Sequence, residues 1–231
     1  MKKSNSGCDL RTCFICQLSL NEWKPAIEGH RKNYTVKKGE LILREGEPVT
    51  GIYFVYKGSV KVHKKWGDRE LIVRFATEGK IIGHRGLGTK NSVYPISATA
   101  LETTTVCFVE LDFFLATLKV NHDLAYKLLM FFADELQESE RRMRDLALSP
   151  VKSRLAGALL QLSNIFGVDE TGHINVELSR QDLASFTGAT YETVFRTMNE
   201  LLQENLISLA GKKICITDQE RLNALTLESL S

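Results

Sequence analysis

Between Asp112 and Ala147 the chain contains neither glycine nor proline, and this stretch constrains its architecture more than any other. Within it Leu129, Phe132, Leu136, Ser139, Met143 and Leu146 recur at steps of three and four, the spacing that lines up side chains along one stripe of an α-helix. Asp134, Glu135, Glu138, Arg141, Arg142 and Arg144 flank the stripe, so the helix presents an apolar seam between charged faces. Such a seam either packs on the helix's own domain or pairs with a second copy as a coiled coil. Leu129, Phe132, Leu136, Met143 and Leu146 are accordingly candidate dimerisation residues, and Pro150 marks the end of the helix.

The sequence on either side has a different texture. From Tyr34 to Leu111 it runs in short β-branched and aromatic segments, such as "GIYFVYKGSVKVHKK" and "RELIVRF", cut by repeated glycines. Short strands with turn signals at this spacing predict a roll or barrel. In "TTVCFVEL" the alternation places Val106 and Phe108 on one face and Cys107 and Val109 on the other, which puts Cys107 on a strand. After Pro150 a new helix, "VKSRLAGALLQLSNIFG", opens a second domain; 231 residues suffice for two domains with real cores.

That second domain carries the most specific local pattern, "LSRQDLASFTGATYETVFRTMNELLQENLISLAGKKICIT". Ser179 is placed to cap a first helix with Asp182 in its opening turn, and Gly188 falls where a turn needs positive φ. Thr190 is placed to cap a second helix whose core stripe is Val194, Met198, Leu201 and Leu202. The opposite face then carries Tyr191, Glu192, Phe195 and Arg196, where a reader helix enters a major groove. Arg196 and Glu192 can read one G·C step between them or simply form an i, i+4 ion pair. Two short strands about Gly211-Lys212-Lys213 read as a wing, which favours base reading, and Cys215 on the second of them reads as a core residue.

Charge does not announce this interface, since residues 148–231 hold 7 Lys/Arg against 10 Asp/Glu while residues 1–147 hold 23 against 18. DNA binding must therefore come from local geometry rather than a basic footprint. The polar start and the lack of any run of ~18 apolar residues predict a cytoplasmic protein that does not associate with a membrane. Cys8, Cys13 and Cys16 cluster near the start, a pattern that suggests metal or redox chemistry more than a disulfide framework. No nucleophile–base pair or dinucleotide fingerprint is present, so an enzyme is not expected.

The order of roll, long helix and helix-turn-helix with a wing resembles the superfamily of the cyclic-AMP receptor protein and the fumarate and nitrate reduction regulator. The similarity is carried by "GIYFVYKGSVKV", "GKIIG", "ALETTTVC" and "TGATYETVFRTMNEL". It implies an α+β chain with a cysteine-rich segment over 1–20, a cyclic-nucleotide-binding-like β-roll over 21–112, a dimerisation helix over 113–148 and a winged helix-turn-helix over 149–231. It also implies a homodimer that binds operator DNA and works with RNA polymerase, with Ser179, Thr190, Tyr191, Glu192, Phe195 and Arg196 at the DNA. Phe195 stands where the oxygen-sensing branch typically has Ser.

The effector follows the same comparison. Cyclic-nucleotide members hold the ribose with a Glu just after "GKIIG" and the phosphate with an Arg-Ser pair; here the corresponding residues are His84 and Tyr94-Pro95. Losing the charged partner of the phosphate means cyclic AMP is not expected. Cys8, Cys13, Cys16 and Cys107 instead resemble the ligand set of the iron-sulfur branch, which implies a 4Fe-4S cluster that oxygen or nitric oxide destroys, with Ile15 placed to shield it. The same thiols are also compatible with tetrahedral zinc or dithiol–disulfide chemistry, and the roll with an unidentified small ligand.

Overall fold

The computed structural model describes residues 1–4, 13–88 and 93–227. The chain divides into two compact units, Met1–Glu135 and Leu136–Ser231. The first contains β1 (Lys2–Ser4), α1 (Phe14–Leu18), α2 (Lys24–His30), β2 (Arg31–Val36), β3 (Leu41–Leu43), β4 (Gly51–Lys57), β5 (Val60–Trp66) and β6 (Arg69–Ala76). It continues with β7 (Ile81–Ile82), β8 (Ser97–Ala100), β9 (Thr104–Glu110) and α3 (Leu111–Val120). The long helix α4 (His122–Leu148) begins in the first unit and ends in the second.

The strands form two antiparallel sheets, ordered β1-β2-β9-β4-β7 and β3-β8-β5-β6. Successive residues of a strand point to opposite faces, and here both faces of the first sheet are buried. Tyr53 and Val55 of β4 and Val106 and Phe108 of β9 face the inside of the roll, where they meet Val60, Val62, Tyr94 and Ala98. Ile52 and Phe54 of β4 and Cys107 and Val109 of β9 face outward into a second core, closed by Ile15, Cys16, Ile27, Phe114, Leu124 and Leu128. Removing side chains such as Phe54 and Phe114 from water contributes about 1.5–3 kcal/mol each. The alternation read from "TTVCFVEL" is thus the division between two cores.

The helix expected over 113–148 is two helices, broken at Asn121. That residue leaves helical geometry at φ −105° and ψ 85°, and its side-chain amide donates to the Thr117 carbonyl while its oxygen accepts from the Leu20 N–H. A short amide can satisfy backbone groups that the helix would otherwise have bonded, so it ends a helix without glycine or proline. Beyond the break, α4 runs for 27 residues.

The second unit begins with the last turns of α4 and then contains α5 (Val151–Phe166), α6 (Arg180–Thr187), α7 (Tyr191–Gln203), β10 (Ile207–Ala210), β11 (Lys213–Ile216) and α8 (Gln219–Leu227). Pro150 caps α5, as its fixed φ allows. Leu155, Leu159, Leu183, Phe186, Val194, Met198, Leu201, Leu206 and Leu222 form its buried interior. β10 and β11 pair antiparallel as the expected wing hairpin. The buried residue of β11 is Ile214, whereas Cys215 is only half-buried and lies against Gly172 and His173, which corrects its reading as a core residue. No helix among the described residues is long and apolar enough to cross a membrane.

Candidate DNA-reading face and sensor core

Two caps set the geometry of the helix-turn-helix. Ser179 accepts from the Asp182 N–H at 3.0 Å while the Asp182 carboxylate accepts from the Ser179 N–H, a reciprocal capping box that starts α6. Gly188 ends α6 in the left-handed region at φ +65°, and Thr190 then caps α7 by accepting from the Thr193 N–H at 3.2 Å. The side-chain oxygens of Ser179 and Thr190 are therefore engaged at helix starts. Val194, Thr197, Met198 and Leu201 bury the inner stripe of α7. Tyr191, Glu192, Phe195, Arg196 and Asn199 are all exposed on the other side, which brings the four expected reader side chains onto one face. Glu192 and Arg196 are both exposed, and among the described residues no ion pair joins them.

The end of α6 is gripped by two arginines. Arg142 lies 4.7 Å over the Phe186 ring and donates to the Phe186 carbonyl at 3.0 Å. Arg154 donates through Nε to the Thr187 carbonyl at 2.9 Å. Carbonyls in the last turn of a helix lack intrahelical partners and carry its negative pole, so cations there fix the turn that aims α7.

Of the cysteines, Cys13 precedes α1, Cys16 lies within it and Cys107 lies on β9 beside Asn33 and Phe54. All three are buried in the outer core, together with the fully buried Ile15. Cys8 lies outside the described residues. Among the described residues no group of three or more His, Cys, Asp or Glu side chains is gathered to hold a metal. What fits an iron-sulfur group is the chemistry of the set: three thiols on one water-excluded apolar cluster.

The interior of the roll is closed by Tyr94. Its hydroxyl donates to the Gly51 carbonyl at 2.7 Å and accepts from the Gly51 N–H, and its ring lies 3.3 Å from where a Cβ on Gly83 would stand. His84 is buried, edge-on to Phe131 and Phe132 at 5.0 and 5.4 Å. Beside it Glu135 of α4 accepts from Arg74 at 2.8 Å and from Arg85 at 2.6 Å. The His84 ring reaches no closer than 3.7 Å to that carboxylate, beyond hydrogen-bond reach. Burial pushes the Glu135 carboxyl up, but His84, Arg74 and Arg85 outweigh it and hold the group well below the usual carboxylate range. Burial lowers the pKa of His84.

Along α4, Leu129, Leu136 and Met143 are exposed at 60%, 61% and 65%, seven residues apart. Tyr126, three residues before Leu129, lies to one side of this row at 59% exposure. Leu146 is also exposed, but Phe132 is not part of this row. Its ring is half-buried against the outer core, because residue 132, three after Leu129 and four before Leu136, lies roughly 40–60° around the helix from the row they form.

Residues 34–121 match the model of the cyclic nucleotide-binding domain and residues 153–225 that of the Crp-like helix-turn-helix domain. The chain is 30% identical over 200 residues to the anaerobic regulatory protein of Bacillus subtilis, covering 84% of this chain and 83% of that one. The chain belongs to the CRP/FNR family. It is also similar to the transcriptional activator protein anr of Pseudomonas aeruginosa, at 27% identity over 216 residues covering 92% of this chain and 88% of that protein. Among solved structures it is similar to FixK2 from Bradyrhizobium japonicum, with a TM-score of 0.75 and 26% identity over 84% of this chain and 96% of that one. The protein is thus a DNA-binding transcription regulator with the roll, helix and winged helix-turn-helix expected of it.

In this member of the CRP/FNR family, sequence reasoning missed Tyr126, Asn199, Arg154 and the ionic group around Glu135, and left Arg142 and Glu135 among solvated flanking charges. Arg154, Arg142 and Glu135 each find their partners far away in the chain, so local spacing carries no sign of them. For Glu135 the folded state holds the carboxyl pKa below its ordinary value of 4.5, so the stability it contributes is present above that pH and is lost as pH falls further. His84 acts in the same direction, beginning below its ordinary 6.5. Trp23 and Trp66, the chain's two tryptophans, both lie in the first unit and report its unfolding. Urea titrations followed by their fluorescence should show stability level above about pH 6.5 and declining with acid. Glu135→Gln, which leaves Arg74 and Arg85 without their carboxylate, should cost about 3 kcal/mol at neutral pH and flatten the decline below about pH 4.5.

Proposed function

We propose that this regulator is a homodimer that senses oxygen or nitric oxide through a 4Fe-4S cluster held by Cys8, Cys13, Cys16 and Cys107, and that the sensing state controls operator binding. The observation that carries this reading is that Cys107 of β9 shares one buried apolar core with Cys13 and Cys16 at α1, which lie far from it in the sequence. The description of the Bacillus relative as an anaerobic regulatory protein accords with it. A bound cluster would supply an oxygen-labile link between the N-terminal segment and the roll.

The chain's own residues provide a path from that link to the long helix. Phe14, adjacent to Cys13, packs on Phe131 of α4 at 5.9 Å, and Arg74 lies 5.6 Å over the same ring while donating to Glu135 one turn on. Holding α1 in place thus holds α4 against the roll, with Leu129, Leu136 and Met143 turned outward for pairing. Paired α4 helices would set two α7 reader helices one DNA turn apart on the operator. The two-state element is the monomer–dimer equilibrium, biased by whether α1 is tethered. RNA polymerase is the expected downstream partner, in keeping with the description of the Pseudomonas relative as a transcriptional activator.

Cyclic AMP is not the effector in this reading. Tyr94 occupies the family's phosphate-binding position with an uncharged ring already bonded to Gly51, and Pro95 beside it has no N–H to offer. The rival cysteine chemistries, zinc or a dithiol, are separated from the cluster by metal analysis.

Three measurements test these assignments. Purified without oxygen, the protein should be brown, carry about four iron and four sulfide per chain, and bleach in air. Ser at Cys8, Cys13, Cys16 or Cys107 should abolish the colour and weaken dimerisation, whereas Cys215→Ser should do neither; stoichiometric zinc in a colourless protein would replace the cluster with a structural site. Leu136→Glu puts a charge into the seam and should give monomers in sedimentation, while a stable dimer would mean pairing runs through another surface. Arg196→Ala should lose about 1–3 kcal/mol of operator affinity and relax preference at one G·C pair, with little change on scrambled DNA.

A further inference from the structure

The exposed face of α7 is half apolar, and this apolar half has no role in the unit's core. Tyr191 and Phe195 are one turn apart, 44% and 51% exposed, and their rings stack with centroids 6.4 Å apart and planes within 10°. At about 100° per residue, Phe195 lies roughly 40° around the helix from Tyr191, and Glu192 and Arg196 follow at roughly 100° and 140°. The apolar pair and the polar pair are therefore neighbouring strips of one surface, at the end of the helix that a capped N-terminus presents. Two aromatic rings left half in water forgo the stabilisation that burial gives, so a surface that completes their burial gains apolar area. The stack also restricts both side chains before any partner arrives, which lowers the ordering cost of contact.

The occupant follows from the strip's continuity with the reader face. In a major groove most of what the base pairs present is a hydrogen-bond donor or acceptor, and the group that rewards apolar contact is the 5-methyl of thymine. A phenyl ring has no polar atom with which to read anything else there. We propose that Phe195, braced by Tyr191, reads the 5-methyl group of a thymine adjoining the base pair that faces Glu192 and Arg196. The inference rests on α7 being the reader helix, and it assigns a T·A preference that the polar pair does not supply. Tyr191 is a positioning residue here, because its ring acts through Phe195.

Deoxyuridine differs from thymidine only by the methyl group, which makes the test specific. Operator sites are first selected from a random duplex library with the full-length protein, and each thymine of a half-site is then replaced singly by deoxyuridine. At one position in each half-site the replacement should weaken wild-type binding about three- to ten-fold, the scale of one buried methyl. Phe195→Ser should bind the thymine and uracil duplexes alike while keeping its G·C preference, and Phe195→Leu should restore part of the discrimination. Wild-type protein indifferent to every uracil replacement would overturn the proposal, as would Phe195→Ser retaining the methyl preference. In both cases sequence-selective binding itself survives, so the failure belongs to Phe195 and not to α7. Selection of no sequence at all would instead remove the reader-helix assignment and the methyl reading with it. The uracil scan on wild-type protein decides the matter even if Phe195→Ser does not fold.

Discussion

The five-stranded sheet of the roll is buried on both faces, and much else in the first unit depends on that constraint. A strand sends alternate side chains to opposite sides, so β9 cannot contribute Val106 and Phe108 to the interior without sending Cys107 and Val109 outward. The outward face would be exposed if α1, α2, α3 and the start of α4 did not cover it. Covering it brings Cys13 and Cys16 into the same apolar core as Cys107. The inward face, filled by Tyr94 and its neighbours, is shaped by packing and not by an anionic ligand's needs. One alternation thereby places Cys107 on the outside of the roll and closes its inside.

The long helix is coupled to this sheet by charge as well as by apolar contact. Arg74 comes from β6 and Arg85 from the turn after β7, and both converge on Glu135. Partly buried charges of this kind are costly to strand singly, so the group acts as a specific registration point more than as a source of net stability. Phe14 and Phe131 provide the apolar half of the same contact. A change at the N-terminal segment consequently meets α4 at a site where small shifts break well-defined partners.

In the second unit, α7 is aimed from behind. Capping at Ser179 and Thr190 fixes where α6 and α7 begin, and Arg142 and Arg154 hold the carbonyls at the end of α6. This leaves the exposed side of α7 to carry chemistry unrelated to folding, with a charged strip at Glu192 and Arg196 beside an aromatic strip at Tyr191 and Phe195. The excess of acidic over basic residues in 148–231 is consistent with recognition that relies on placed contacts more than on a general attraction to phosphate.

Periodicity and local residue chemistry alone determined the strand alternation around Cys107, the break at Pro150, the caps at Ser179 and Thr190, the positive φ at Gly188 and the outward face of α7. All of these are set within a few residues, where φ, ψ preference and side-chain direction act locally. The break at Asn121 escaped because an amide ends a helix by bonds to backbone rather than by a missing donor or a missing Cβ. Phe132 escaped because a stripe at three- and four-residue steps does not say which of two adjacent faces meets the roll and which meets solvent. Glu135 and Arg142 looked like surface charges, and Arg154 carried no signal, until folding supplied Arg74, Arg85 and the end of α6, dozens of residues away. The sequence by itself determined the type and order of the elements, and their starts and faces wherever a cap, a turn glycine or strand alternation acts locally. Only the tertiary structure decided which charges are partnered and which cysteines share a core, because those depend on pairs that no local spacing encodes.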